Sequence, residues 1–186
     1  INSIRISKFV ESIGQGAFSG CISLRSFTVD PDNPAYASDG QFFYNKTRST
    51  IFSALGALIR GSCAIPTSVS TIAQGAFESC PNITDITIHD RVTNIGARPA
   101  ADCPSLKRFV VDSMNRNYAS IGGILYDRQI TKVIQVPGGV GDFVEIAEGV
   151  KTIGNSAFLG CLMTIAIIPN SVSSVESVAF NQCENL

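Results

Sequence analysis

Apolar residues recur at fixed distances from five of the six cysteines. Four of these cysteines have an Ala-Phe pair ending three residues before them, and all five have an aliphatic residue eight positions before them. Several positions that recur together indicate an internal repeat whose conserved side chains face a common core. The predicted core positions are Phe18, Cys21, Phe77, Cys80, Cys103, Phe158, Cys161, Phe180 and Cys183; around Cys103, Pro99-Ala100 stands in place of the Ala-Phe pair.

The stretch after each cysteine has apolar residues in the pattern x-x-Leu-x-x-Ile-x-Ile. Its alternating end predicts a short strand with one face buried and one exposed. The Val-x-x-Ile stretch before each cysteine predicts a second short extended segment, and Ala-Phe-x-x-Cys predicts one helical turn. The pattern occurs as Leu24, Phe27 and Val29, as Ile83, Ile86 and Ile88, and as Leu106, Phe109 and Val111.

Two periods are superimposed in the chain. Cys80 and Cys103 are 23 residues apart, and Cys161 and Cys183 are 22 apart. The longer gaps also resemble each other, since Tyr36 and Tyr44 recur 82 positions later as Tyr118 and Tyr126. We therefore predict two larger units, approximately residues 10–91 and 92–171, each with an interrupted repeat at 30–64 and 112–145. The second interruption, GGILYDRQITKVIQVP, predicts a strand, a turn and a strand.

A period in the low twenties with this Leu spacing is the signature of leucine-rich repeats. We predict a single β-rich solenoid over residues 1–186, a right-handed superhelix of about 7–8 coils. Its parallel sheet lies on the concave face, and short strands and helical turns lie on the other side. The repeat after Cys161 is one residue short, so we expect a local shift in which Met163 or Ile165 takes the Leu position.

The repeats AFSGCISLRSFTV and IPTSVSTIAQGAFESCPNITDITI resemble the BspA-like type of leucine-rich repeat. The insertion DPDNPAYASDGQFFYNKTRSTI resembles the Asn-Pro-x-Tyr … Asp-Gly-x-Leu-Tyr interruption of that family. The resemblance covers essentially the whole chain. It implies a cell-surface or secreted, non-enzymatic protein that adheres to protein or glycan ligands, such as components of a host matrix or cell surface. It brings no catalytic residues.

Composition narrows the function classes. The chain is 45% hydrophobic and 16% charged, with a net charge of −1 and scattered Lys and Arg, which argues against a nucleic-acid partner. No run of 18 apolar residues is present, so direct membrane insertion is not expected. The chain lacks an initiator Met and ends within a repeat, at NQCENL, so we expect a fragment of a longer protein.

Candidate reactive groups favour structural roles. The cysteines lack Cys-x-x-Cys spacing and accompany a single histidine, His89, so buried free thiols are more plausible than zinc ligands, with Cys63 outside the repeat phase. Because His89 directly follows the Ile86-x-Ile88 strand pattern, we predict that it lies in a turn. Asp30, Asp32, Asn33 and Asp39 could suggest calcium but fit turn chemistry better. No catalytic residue, metal or cofactor is predicted.

The remaining candidates are the outward positions of the predicted strands. Solenoids bind partners on extended faces of this kind, so these positions predict a binding surface. The alternative is a structural spacer or an intracellular docking scaffold. The predicted ligand-binding residues are Arg25, Ser26, Thr28, Thr84, Asp85, Thr87, Lys107, Arg108 and Val110.

Overall fold

The computed structural model describes residues 1–14, 16–18 and 20–186. Short strands and hydrogen-bonded turns account for this part of the chain, and no helix occurs in it. The strands are β1 (Ser3–Ile6), β2 (Ser26–Val29), β3 (Tyr36–Ser38), β4 (Phe42–Asn45), β5 (Thr50–Ala54), β6 (Gly61–Ala64), β7 (Thr71–Ile72), β8 (Ile83–Ile88), β9 (Asn94–Ile95), β10 (Arg108–Val111), β11 (Tyr118–Ile121), β12 (Ile124–Asp127), β13 (Lys132–Gln135), β14 (Phe143–Glu145), β15 (Thr152–Ile153), β16 (Ile165–Ile167) and β17 (Ser174–Val175).

The strands form a solenoid of about seven coils, as predicted. One row carries the longer strands of the Leu-x-x-Ile-x-Ile segments, in the parallel groups β1-β2, β6-β8-β10 and β14-β16. The other row carries the short strands, with β5, β7 and β9 parallel to one another and β13, β15 and β17 likewise. Each coil thus crosses both rows before the next coil stacks on it.

The alternation of the strand residues builds the core. In the pair β8–β10, Phe109 lies beside Ile86 and Val111 beside Ile88. Phe109, Ile86 and Ile88 are almost fully buried. Complete burial of a side chain of this size contributes about 1.5–3 kcal/mol relative to exposure. Stacking several such rows supplies the stability that one coil lacks.

The Ala-Phe-x-x-Cys segment forms turns rather than a helical turn. The residue one position before each of five cysteines has a positive φ, and so does the residue five positions before the same cysteine. Residues in the left-handed region do not continue a right-handed helix, so no helix extends past either end of the segment. The first set is Gly20, Ser79, Asp102, Gly160 and Gln182, and the second is Gly16, Gly75, Arg98, Ser156 and Val178.

The predicted core positions Phe77, Cys80, Cys103, Phe158 and Cys161 are at most 1% exposed. Their counterparts in the first and last repeats, Phe18, Cys21, Phe180 and Cys183, are half-buried.

Cysteine thiols join successive coils. The Cys103 thiol donates to the carbonyl of Phe77 at 3.0 Å, and the Cys183 thiol donates to the carbonyl of Phe158 at 3.1 Å. Both bonds connect a cysteine to the coil before it, and both cysteines are free thiols. The hydrogen-bonded partner Cys103 and burial together raise the pKa of the Cys80 thiol.

Two three-stranded antiparallel segments, here called the first and second hairpins, interrupt the parallel stack of coils. β3, β4 and β5 form the first, and β11, β12 and β13 form the second. Sequence analysis predicted the β12-turn-β13 part but neither β3 nor β11. In both hairpins the last strand also pairs in parallel with the next coil, β5 with β7 and β13 with β15. The hairpins are therefore part of the solenoid.

A fully buried asparagine precedes each hairpin. The Asn115 side-chain amide donates to the carbonyls of His89 and Val92 at 2.9 and 3.0 Å. Its oxygen accepts from the N–H groups of Asn117 and Tyr118 at 2.9 and 2.8 Å. All four hydrogen-bonding sites of the amide are thus filled.

Asn33 repeats this arrangement. Its amide donates to the carbonyls of Ser7 and Val10 at 2.7 and 3.0 Å, and its oxygen accepts from the N–H groups of Ala35 and Tyr36 at 2.8 and 2.7 Å. Asn33 and Asn115 are both 0% exposed, so each one ties a hairpin to the preceding coil from inside the core.

The repeat after Cys161 shifts its register as expected, and Met163 takes the Leu position. Met163 is 0% exposed, whereas Ile165 is 54% exposed. Because one residue is missing, Ala166 is the inward residue of β16 and lies beside the buried Val144 of β14. Ile165 and Ile167 consequently point outward.

Candidate binding surface

The outward side chains of three adjacent strands form a continuous polar patch, here named the central sheet face. It belongs to β6, β8 and β10, and it comprises Ser62, Ala64, Asp85, Thr87, Arg108 and Val110. The register places Arg108 beside Asp85 and Val110 beside Thr87. Thr84 and Lys107 flank it where the strands begin, and the Lys107 N–H donates to the Thr84 carbonyl at 2.8 Å.

An ion pair lies at the centre of this face. Arg108 Nε contacts Asp85 Oδ1, and the Thr84 hydroxyl donates to Asp85 Oδ2 at 2.6 Å. The Thr84 hydrogen bond, followed by the hydrogen bond and charge of Arg108, lowers the pKa of Asp85. Most of the Arg108 side chain remains exposed, at 64%, so its guanidinium can contact a partner while it stays paired. Lys107 is exposed beside it and has no ionic partner among the described residues.

The predicted site residues fall into two groups in the structure. The six on β8, β10 and their flanks lie side by side, as described above. Arg25, Ser26 and Thr28 lie on or next to β2, which pairs with β1 and belongs to a separate sheet. Arg25 and Thr28 are exposed and Ser26 is half-buried.

Two sets of outward residues are not predicted by the repeat pattern. Ser62 and Ala64 were overlooked because Cys63 lies outside the repeat phase; the structure places Cys63 beside Ile86 as an inward strand residue. Alternation in Gly-Ser-Cys-Ala could have revealed β6. Phe143, Ile165 and Ile167 form an apolar patch on β14 and β16, and they were missed because the register shift could not be assigned from sequence.

The other candidate groups are engaged in local structure. The ring of His89 accepts from Arg91 N–H at 3.1 Å through Nδ1, so Nε2 carries the proton it donates to the Pro66 carbonyl at 3.0 Å. Asp30 accepts from the N–H of Asp32 at 3.0 Å, a turn contact of the predicted kind. Burial raises the pKa of the Cys63 thiol to about 11.

Over residues 1–14, 16–18 and 20–186, no group of three or more His, Cys, Asp or Glu side chains is arranged to hold a metal ion. The same residues include no helix long and apolar enough to cross a membrane.

Comparison with known families identifies a leucine-rich repeat family. The model for the BspA type leucine rich repeat region matches residues 1–120 and 142–186, with six copies. The comparison with curated protein sequences gives no match.

Solved structures give the same fold. A leucine rich cell surface protein from Faecalibacterium prausnitzii A2-165 is 26% identical, with a TM-score of 0.67 over 100% of this chain and 46% of that one. A leucine-rich repeat protein from Eubacterium ventriosum is 20% identical, with a TM-score of 0.64 over 97% and 51%. The pneumococcal vaccine antigen PcpA is 17% identical, with a TM-score of 0.58 over 98% and 37%. This chain thus spans about half the length of these proteins or less.

Proposed function

The chain belongs to the BspA-type leucine-rich repeat family, and on this basis we propose that it is a non-enzymatic binding module of a cell-surface or secreted protein. Its partner is a protein or glycan of a host matrix or cell surface. The central sheet face, together with Arg25, Ser26 and Thr28 on the neighbouring sheet, makes the contact.

One observation carries this proposal. Lys107 and Arg108 are two adjacent, exposed cations at the central sheet face, and the Asp85 carboxylate holds Arg108 in place. A pre-positioned guanidinium loses less side-chain entropy on binding than a free one, and Arg is enriched where interfaces carry most of their energy. The location is supported by the cell-surface description of the protein from F. prausnitzii.

The test replaces the three exposed cations together, as Arg25→Ala, Lys107→Ala and Arg108→Ala. We expect binding to immobilised extracellular-matrix proteins and host-cell glycans to weaken at least tenfold. The salt dependence should also fall, because rim charges mainly provide electrostatic attraction. Surface plasmon resonance at two ionic strengths measures both effects.

The matched control removes three exposed cations from the turns, as Arg91→Ala, Arg128→Ala and Lys151→Ala. It changes the net charge equally and should leave binding unchanged. Equal losses in both triple variants would show that the effect is net charge alone. Unchanged binding in the first variant would remove the central sheet face from the proposal.

A further inference from the structure

One edge of β2 carries backbone N–H groups that have no partner in the described part of the chain. Asp30 N–H donates to the Ile6 carbonyl of β1 at 2.9 Å. Backbone N–H groups alternate between the two edges of a strand, so those of Phe27 and Val29 point away from β1. On that side β2 faces β3, and within residues 1–14, 16–18 and 20–186 no hydrogen bond joins the two strands.

In the second unit, the equivalent edge of β10 has hydrogen-bond partners. Phe109 and Val111 stand 82 positions after Phe27 and Val29. There the Phe109 N–H donates to the Gly123 carbonyl at 2.8 Å, and the Val111 N–H donates to the Ser120 hydroxyl at 3.1 Å. The hairpin itself therefore satisfies both donors.

The residue at the tip of the hairpin differs between the two units. Gly123 has a φ of +84°, and a Cβ added to it would lie 2.7 Å from the Cβ of Arg108. Only a residue without a side chain can approach β10 that closely. The first unit has Gln41 at this position, and its carbonyl accepts from Leu55 N–H at 2.8 Å instead of from β2, so the edge of β2 stays open. The residue equivalent to Leu55 in the second unit is Pro137, which has no N–H.

The open edge lies in a slot between β2 and β3 with a volume of about 360 Å³. Phe27 and Tyr36, each 6% exposed, are among the residues that line it. Asp30 and Lys46 stand at its rim, where the Lys46 ammonium donates to the Pro31 carbonyl at 3.1 Å.

We propose that this slot binds an extended peptide by strand addition to β2. The peptide carbonyls accept from Phe27 and Val29 N–H, and the peptide N–H groups donate to the carbonyls of the same two residues, which point to the same edge. Donors two residues apart on a strand are separated by about 6.6 Å, which matches alternate carbonyls of an extended chain and exceeds the reach of one small anion. Strand addition draws affinity from such main-chain bonds, and alternate side chains give specificity. The site does not rest on the proposed function, since its donors are the backbone N–H groups of Phe27 and Val29, although Thr28 belongs to both surfaces.

The first experiment uses the hexapeptide acetyl-KTVTVT-amide and the full chain labelled with ¹⁵N. In the free chain, the amides of Phe27 and Val29 should exchange with solvent at least a hundredfold faster than those of Phe109 and Val111. Peptide addition should shift the first pair and protect it from exchange. The same peptide with alternate N-methyl groups, which cannot donate to β2, should not bind.

Two variants complete the test. Val29→Pro removes one donor that has no partner, so no hydrogen bond is lost on folding, and peptide affinity should fall at least tenfold. Gln41→Gly should let the first hairpin close on β2 as the second closes on β10, which also lowers affinity and slows exchange at Phe27. Undiminished binding by both variants would overturn the proposal, as would equal exchange rates for Phe27 and Phe109 in the free chain.

Discussion

The first hairpin, β3 to β5, and the second, β11 to β13, begin at equivalent buried asparagines but differ in the hydrogen bonds of their equivalent buried tyrosines. In the first, the Tyr44 hydroxyl donates to Asp39 within the hairpin at 2.7 Å. In the second, the Tyr126 hydroxyl accepts from Ala147 N–H at 3.3 Å, in the next coil. The contacts of the two asparagines are therefore duplicated, whereas the hydroxyls of the two buried tyrosines have different partners.

Replacing the shared asparagine should disturb the molecule most. Asn115→Asp removes both N–H donors and buries a carboxylate against two carbonyl oxygens. We expect it to destabilise the chain by about 4 kcal/mol, comparable to breaking a buried ion pair. Urea unfolding followed by circular dichroism measures the loss.

Asn33→Asp is the matched variant, and it should cost a similar amount locally. Because Ser7 and Val10 belong to the first coil, hydrogen exchange should show that coil loosening while the second hairpin keeps its protection. If the Asn115→Asp variant were as stable as the unmodified chain, the structural role assigned to the asparagine would be contradicted.

A smaller effect separates the two hairpin turns. Arg48 and Ile130 occupy the same turn position with φ of 57° and 56°, a conformation that suits glycine and disfavours β-branched residues. Arg48→Ile should therefore destabilise the first turn by about 1 kcal/mol relative to Arg48→Gly. Both variants lose the contact of Arg48 with the Tyr44 ring, so their difference in melting temperature isolates the backbone term.

The smallest expected effect is a difference in acid sensitivity. Burial acts to raise the pKa of Asp39, but hydrogen bonds from Phe42 and Gln41 N–H and from the Tyr44 hydroxyl lower it overall. A lowered pKa in the folded state means that Asp39 contributes stability above the usual Asp pKa of about 3.9 and loses it as pH falls through the folded value. The second hairpin has Ile121 at this position.

Hydrogen exchange below about pH 4 should therefore show the first hairpin opening relative to the second. Asp39→Asn should abolish the difference in pH dependence. Equal acid sensitivity of both hairpins in the unmodified chain would contradict this account.

The repeat phase was predictable because it depends on inward residues that packing constrains. Met163 could not be chosen over Ile165 from sequence, since the choice depends on how β16 stacks on β14. Sequence analysis interpreted Asn33 as part of an acidic turn, although its recurrence with Tyr36 as Asn115 and Tyr118 was a usable signal. The central sheet face could be predicted on β8 and β10, where charged residues alternate with core residues. β6 was overlooked because Cys63 replaces the expected aliphatic residue, although the alternation in Gly-Ser-Cys-Ala was a usable signal.

The free cysteines have a practical consequence. Cys63, Cys80, Cys103 and Cys161 lie in different coils, and all four are buried. Thiolates are the reactive species, and burial raises the pKa of the Cys63 and Cys161 thiols, so both resist alkylation in the intact solenoid. Mass spectrometry after timed exposure to a thiol reagent would thus record the order in which individual coils open, without any engineered probe.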